Sequence, residues 1–171
     1  MTGINILLNG IDEGLKVVIS TRVSGAESPS LVIQSVQNIF PDFNSVSGID
    51  EPSFGNPSDH QLSQENISMN TFLRLIHQQA ILDTALDVMS LNLKDNYTSF
   101  EILRQASMVN KIAFNLPNEN PLGGVIQIEL SGDDLPAWIE AATWHNGRDV
   151  VPRRIDDERT MNSDGEASTW H

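Results

Sequence analysis

The chain has 171 residues, 39% of them hydrophobic and 19% charged, which suits one domain of ordinary size with room for tails. Cysteine is absent, so neither a disulfide framework nor a thiolate metal site can form. Ten Lys and Arg stand against 23 Asp and Glu, a formal charge of -13, which argues against the high-pI pattern of nucleic-acid binders and against an anionic membrane surface as partner. No apolar run approaches the ~18 residues that a bilayer span needs. Met1–Leu8 carries neither a basic stretch nor a cleavage pattern, so a cytoplasmic protein is expected.

Three zones follow from composition. Residues 1–14 form a leader whose apolar patch, Ile4 to Leu8, either adds an edge strand or stays loose. Residues 15–147 hold all the clear periodicity and define the domain. Residues 148–171 mix charge with Gly, Ser, Thr and Pro, and such an acidic tail buries too little surface to offset its ordering entropy, so it is expected to be mostly disordered.

Within the domain, Leu15–Ser24 places Leu15, Val17, Ile19, Thr21 and Val23 on one face, the period of a half-buried strand. Ser28 and Pro29 then open a short amphipathic helix with Val32, Val36, Ile39 and Phe40 on one side, and Pro41 stops it. Residues 42–67 are rich in turn formers; Val46–Ile49 suggests a short strand, and Pro52–Ser63 a surface loop. Met69–Leu91 predicts one long helix, because Phe72, Leu75, Ile76, Leu82, Leu86 and Met89 recur at three- and four-residue intervals without Gly or Pro. After the polar turn Lys94-Asp95-Asn96, the alternation within Lys111–Leu116 and again within Val125–Leu130 predicts two consecutive strands joined as a hairpin across PNENPLGG. Leu135–Trp144 suggests a final short helix. Helices on one face of a mostly antiparallel sheet satisfy both periodicities, so the expected fold is an α+β two-layer sandwich.

Reactive constellations are sparse. None of His60, His77, His145 and His171 has a second ligand-type residue at metal-motif spacing, so no metal site is expected. Asp83 and Asp87 are four apart, a spacing that fits acid–base work or a hard cation but equally a solvated helix face. No phosphate loop, nucleophile elbow or dinucleotide fingerprint occurs, and neither catalytic activity nor a cofactor is expected.

Three segments taken together, LRLIHQQAILDTALDVM (73–89), SFEILRQASMVNKIAF (99–114) and PLGGVIQIEL (121–130), resemble an archaeal family of small uncharacterised proteins grouped with predicted RNA-binding, exosome-associated proteins. The combination of Gln79, Ile81, Leu82, Asp83 and Ala85, then Arg104-Gln105-Ala106 with Lys111 and Phe114, then Pro121-Leu122-Gly123 carries the resemblance. It implies an α+β fold similar to that of the 5S-rRNA-binding large-subunit ribosomal protein, and a non-enzymatic RNA-binding or RNP-associated role. Gln79, Arg104, Gln105 and Lys111 are then the candidate RNA contacts. Where the family pattern places cations around the Ile-Leu-Asp core of the helix, this chain has His77, Gln78, Ala80, Leu86 and Asp87, which removes phosphate-binding charge. The alternative is a protein-interaction or assembly module, its acidic surface meeting a basic partner such as an RNA-processing complex, or a second copy in a homodimer.

Overall fold

A computed structural model describes residues 14–25, 27–44, 58–116, 119, 121–145 and 147. The proposed leader, the Val46–Ile49 strand and the acidic tail lie outside them, apart from Gly14. In chain order the elements are β1 (Leu15–Gly25), α1 (Pro29–Gln37), β2 (Ser58–Glu65), α2 (Asn70–Gln78), α3 (Leu82–Leu91), β3 (Tyr97–Leu103), α4 (Arg104–Ser107), β4 (Phe114–Asn115), β5 (Val125–Gly132) and α5 (Leu135–Ala142). The five strands form one antiparallel sheet in the order β2-β1-β5-β3-β4. The α+β architecture expected from the two periodicities is the one observed.

Register puts Val17, Ile19, Thr21 and Val23 of β1 on the same face as Leu62, Ile126, Ile128, Leu130, Thr98, Phe100 and Ile102, all buried. Against this face α1, α2, α3 and α5 lay down Val32, Val36, Phe72, Ile76, Leu86, Met89, Leu135 and Ile139. Phe72 is the hub of an aromatic cluster: its ring centroid lies 6.1 Å from Phe40, 5.8 Å from Phe100 and 6.4 Å from Phe114. Offset and edge-on ring pairs of this kind add to area burial. Capping of α1 follows the expected chemistry, with the Ser28 hydroxyl accepting from the Leu31 N–H and Pro29 in the first turn.

Three local expectations are corrected. Part of the Pro52–Ser63 loop belongs to β2, whose SDHQLSQE sequence holds a single apolar residue, Leu62. As an edge strand, β2 needs only that one inward side chain, and its ladder is imposed by β1. The hairpin between residues 111–116 and 125–130 does not form: β3 lies between β4 and β5, and the Lys111–Leu116 strand shrinks to Phe114–Asn115.

The third correction is the long helix. It breaks into α2 and α3 at Gln79-Ala80-Ile81, with Ala80 at φ +58°. The Ala80 N–H donates to His77 O (3.1 Å) and the Ile81 N–H to Ile76 O (3.0 Å), the two bonds of a Schellman ending. Alanine is a strong helix former without the freedom of glycine at positive φ, so the break is imposed from outside. Its cause is Gln79, whose side chain donates to Ile112 O (2.9 Å) and accepts from the Ile112 N–H (2.8 Å), closing a two-bond clasp on the segment before β4. Replacing Ala80 with Gly is expected to raise stability by roughly 0.5–1 kcal/mol, because it relieves the left-handed residue. In a continuous helix the same change would lower stability by about 1 kcal/mol, so the direction of shift in a denaturant midpoint checks the break.

Candidate functional site

β3 ends at Leu103, and the chain turns at once into the single turn α4, which swings Arg104 under the end of β1. Arg104 is 4% exposed. Nε donates to Gly123 O (2.7 Å), Nη1 donates to Arg22 O (2.8 Å) and Thr21 Oγ1 (3.1 Å), and Nη2 pairs with the Glu27 carboxylate. Glu27 is itself held by the Ser24 N–H (2.9 Å), and the Thr21 hydroxyl donates a hydrogen bond to Val125 O (2.7 Å). Burial pulls the Arg104 guanidinium below its ordinary value, and Glu27 pulls it back up. The cation is retained because a planar five-donor group finds acceptors on several sides. Gly124, at φ +77°, is the floor of this arrangement, since a Cβ there would overlap the guanidinium. Gly123, at φ +86°, lies against Gln105, whose Cγ would be 2.8 Å from an added Cβ.

The four residues singled out from the sequence therefore have different surroundings. Arg104 is buried and paired with a carboxylate, and Gln79 is clasped to the Ile112 backbone. Gln105 and Lys111 are exposed. Gln105 lines an open groove of about 290 Å³ between α1 and α4, with Leu31, Val32, Ser35 and Met108 among its other walls, and Arg104 and Glu27 also line it. Asp83 sits 2.9 Å from His145 Nε2, tying the start of α3 to the segment after α5. Among the described residues no group of three or more His, Asp or Glu is placed to hold a metal ion.

The second surface of interest is the sheet face opposite the helices. Register aligns side chains across it in rows: Ser63, Ser20, Gln127, Glu101 and Asn115 in one, and Glu65, Val18, Glu129 and Ser99 in the next. Lys16, Ser131 and Tyr97 form the row beyond. Lys16 Nζ lies 3.3 Å from Glu65, Tyr97 Oη donates to Glu129 Oε1 (2.8 Å), and Asn115 Nδ2 donates to Glu101 Oε1 (2.9 Å). The bond to Glu129, with some burial and the nearby negative charge, raises the Tyr97 pKa above its ordinary value. Sequence alternation could have disclosed this face, because Tyr97, Ser99 and Glu101 alternate with Thr98, Phe100 and Ile102.

Comparison with known proteins places the fold. No family model matches the chain. Over 129 residues it is 30% identical to a UPF0201 protein of Sulfurisphaera tokodaii, a match covering 75% of this chain and 86% of that protein. The chain belongs to the archaeal UPF0201 family. A UPF0201 protein of Methanothermobacter thermautotrophicus is 25% identical over 125 residues, covering 73% of this chain and 88% of the relative. The crystal structure of a UPF0201 protein from Methanococcus jannaschii shares the fold at a TM-score of 0.63 and 22% identity, covering 77% of this chain and 96% of that one. Within this UPF0201 chain, residues that carried the resemblance meet in space: Arg104 and Gln105 pack on Gly124 and Gly123, and Gln79 clasps the residue after Lys111.

Two outcomes follow. Arg104→Lys is expected to cost about 1–3 kcal/mol, since an ammonium cannot reach acceptors on so many sides. Gly124→Ala is expected to cost about 2 kcal/mol or more, from positive φ and overlap together. Because both act on one contact, the double variant should lose less than the sum, which urea unfolding of the four proteins measures. Separately, Tyr97 is the sole tyrosine, so an ultraviolet titration reads it alone. Its folded pKa is raised, so the stability it contributes is complete below about pH 10 and lost as pH climbs through the folded value. Glu129→Gln should return that titration toward the ordinary tyrosine value.

Proposed function

We propose that this UPF0201 protein is a non-enzymatic docking module that meets a basic protein surface with the open face of its sheet. The observation that supports this most is the composition of that face. Glu65, Glu101 and Glu129 stand on it among Ser, Gln and Asn side chains, and one of its cations, Lys16, is tied to Glu65. A chain of net charge -13 steers cationic partners toward such a face and repels anionic ones.

RNA binding is the second reading, supported by the exposure of Lys111 and of Gln105, the latter in the wall of the α1–α4 groove. It is weakened by the use of Arg104 and Gln79 inside the fold, because phosphate contacts supply most nucleic-acid affinity. Among the described residues Tyr97 is the one aromatic side chain that strand register places on the open face, and its hydroxyl is tethered to Glu129, so these strands offer little for base stacking.

Capture from a native extract should retain a basic protein at low salt, and the charge reversal Glu65→Lys with Glu129→Lys should abolish retention. Filter binding of structured and single-stranded RNA should give no retention at low salt. Salt-sensitive RNA retention that Lys111→Ala removes, with protein capture unaffected by the charge reversal, would overturn the docking reading in favour of RNA.

A further inference from the structure

Three segments meet at one corner of the helical layer: 28–38, which holds α1; 104–112, which holds α4; and 121–124, the turn before β5. The Asn38 side chain donates to Ser107 O (3.0 Å), and Gly123 lies against Gln105, so the three are held in one arrangement. None of their residues is an Asp or Glu, in a chain that has 23. Glu27, at the entry to α1, is the carboxylate lining the groove, and Arg104 neutralises it. The other acids flanking these segments in sequence are Asp42 past the end of α1, Glu101 on the open sheet face and Glu119 before the turn. The same corner gathers apolar side chains in water. Leu31 and Met108 stand in the groove walls at 54% and 39% exposure. Val109 and Leu122, each next in sequence to a groove residue, are 65% and 85% exposed. Apolar residues exposed singly are ordinary in folded proteins, whereas several around one groove mark an interaction site.

We propose that the α1–α4 corner is the interface through which two copies of this chain associate, the groove of each receiving Leu122 of the other. Charge selects the occupant. A molecule of net charge -13 repels its own copy, and the repulsion is weakest where both approaching surfaces lack carboxylates. A basic partner finds no uncompensated carboxylate in these three segments and is steered to the glutamates of the open sheet face instead. A polyanion finds only Lys111 among their cations, because Arg104 is buried against Glu27. Shape selects the geometry. A two-fold interface joins the same patch on both copies, so it needs a projection and a hollow side by side. Leu122 is the projection, and the groove of about 290 Å³ is the hollow, at the lower edge of the size range of small-molecule sites and on the scale of aliphatic side chains. Pairing in the helical layer leaves the open sheet face of each copy uncovered. The dimer therefore goes beyond the docking role and makes it bivalent.

Sedimentation equilibrium of the full chain tests this. The mass should rise to that of two chains with protein concentration. Association should tighten between about 0.1 M and about 1 M salt, because screening removes like-charge repulsion. Docking through glutamates responds to salt in the opposite direction, so the two contacts are distinguishable. Leu122→Glu and Leu31→Glu should each weaken association at least tenfold, and Leu91→Glu, at an exposed apolar position on α3, should leave it unchanged. Leu122 is so exposed that its variant carries the test if Leu31→Glu does not fold in a thermal melt. The chain lacks cysteine, so Val109→Cys supplies a single thiol, which a short bis-maleimide should cross-link between copies while Leu91→Cys stays uncoupled. A monomer at every concentration and both salts would overturn the interface. So would a dimer that both Glu variants leave intact, or one that loosens as salt rises. RNA retention that Leu122→Glu and Lys111→Ala abolish, in a chain that stays monomeric, assigns the corner to RNA and overturns it equally. Capture of a basic protein should persist in monomeric Leu122→Glu, because it uses a different face.

Discussion

A guanidinium withdrawn from water must be answered by acceptors on several sides at once, and the rest of this molecule is arranged around answering Arg104. The acceptors come from distant parts of the chain: Thr21 and Arg22 at the end of β1, Glu27 before α1, and Gly123 at the approach to β5. Removing one partner of a buried charge leaves the other uncompensated, which is far more costly than the modest net worth of the intact pair. The network therefore holds the β1–α1 corner, the start of α4 and the turn before β5 in a single arrangement. Gly124 is required there because any side chain would occupy the space of the guanidinium itself.

Gln79 performs the corresponding task with a neutral group. Its amide uses one N–H and its carbonyl oxygen here, and the Ile112 backbone supplies the complement of both. A segment before a two-residue edge strand has little ladder of its own to hold it, so this clasp fixes where β4 begins. Ending α2 at this position leaves Ala80 in the left-handed region. The clasp and the Schellman bonds offset that local strain, and the turn sets α3 on a new axis with Leu82, Ala85, Leu86 and Met89 buried.

How much of this was legible follows from where each signal is stored. β1, α1, β5 and α5 were readable because hydrophobic period and turn chemistry agree within each segment. β2 was not, since a single Leu62 cannot display a period and its ladder is borrowed from β1. The break at Ala80 carries no local mark, because no breaker residue stands there and the cause lies 33 residues away at Ile112. β3 was present in the alternation of Thr98, Phe100 and Ile102 and was hidden by the longer segment around it. Of the candidate site, residue types were visible but not their fate: Arg104 looks like a surface cation until the adjoining glycines are seen to make room for it. Gly123-Gly124 was the available clue, read as a turn alone.

That fate bears on what surface the molecule has to offer. An arginine committed to four internal bonds cannot also meet a phosphate without leaving Glu27 and three other acceptors unmatched, so any nucleic-acid contact made through Arg104 would have to be strong enough to offset the loss. The open sheet face carries no such conflict. Its Lys16–Glu65, Tyr97–Glu129 and Asn115–Glu101 contacts order the side chains while leaving a surplus of acceptors. A pre-ordered polar surface loses less side-chain entropy when a partner arrives. On the proposed docking role, excess acceptors favour a partner that supplies donors, and excess negative charge favours donors that are cationic. Rows set by strand register fix those acceptors in a repeating geometry, and a repeating geometry of acceptors is what the proposed docking role needs in order to discriminate among partners.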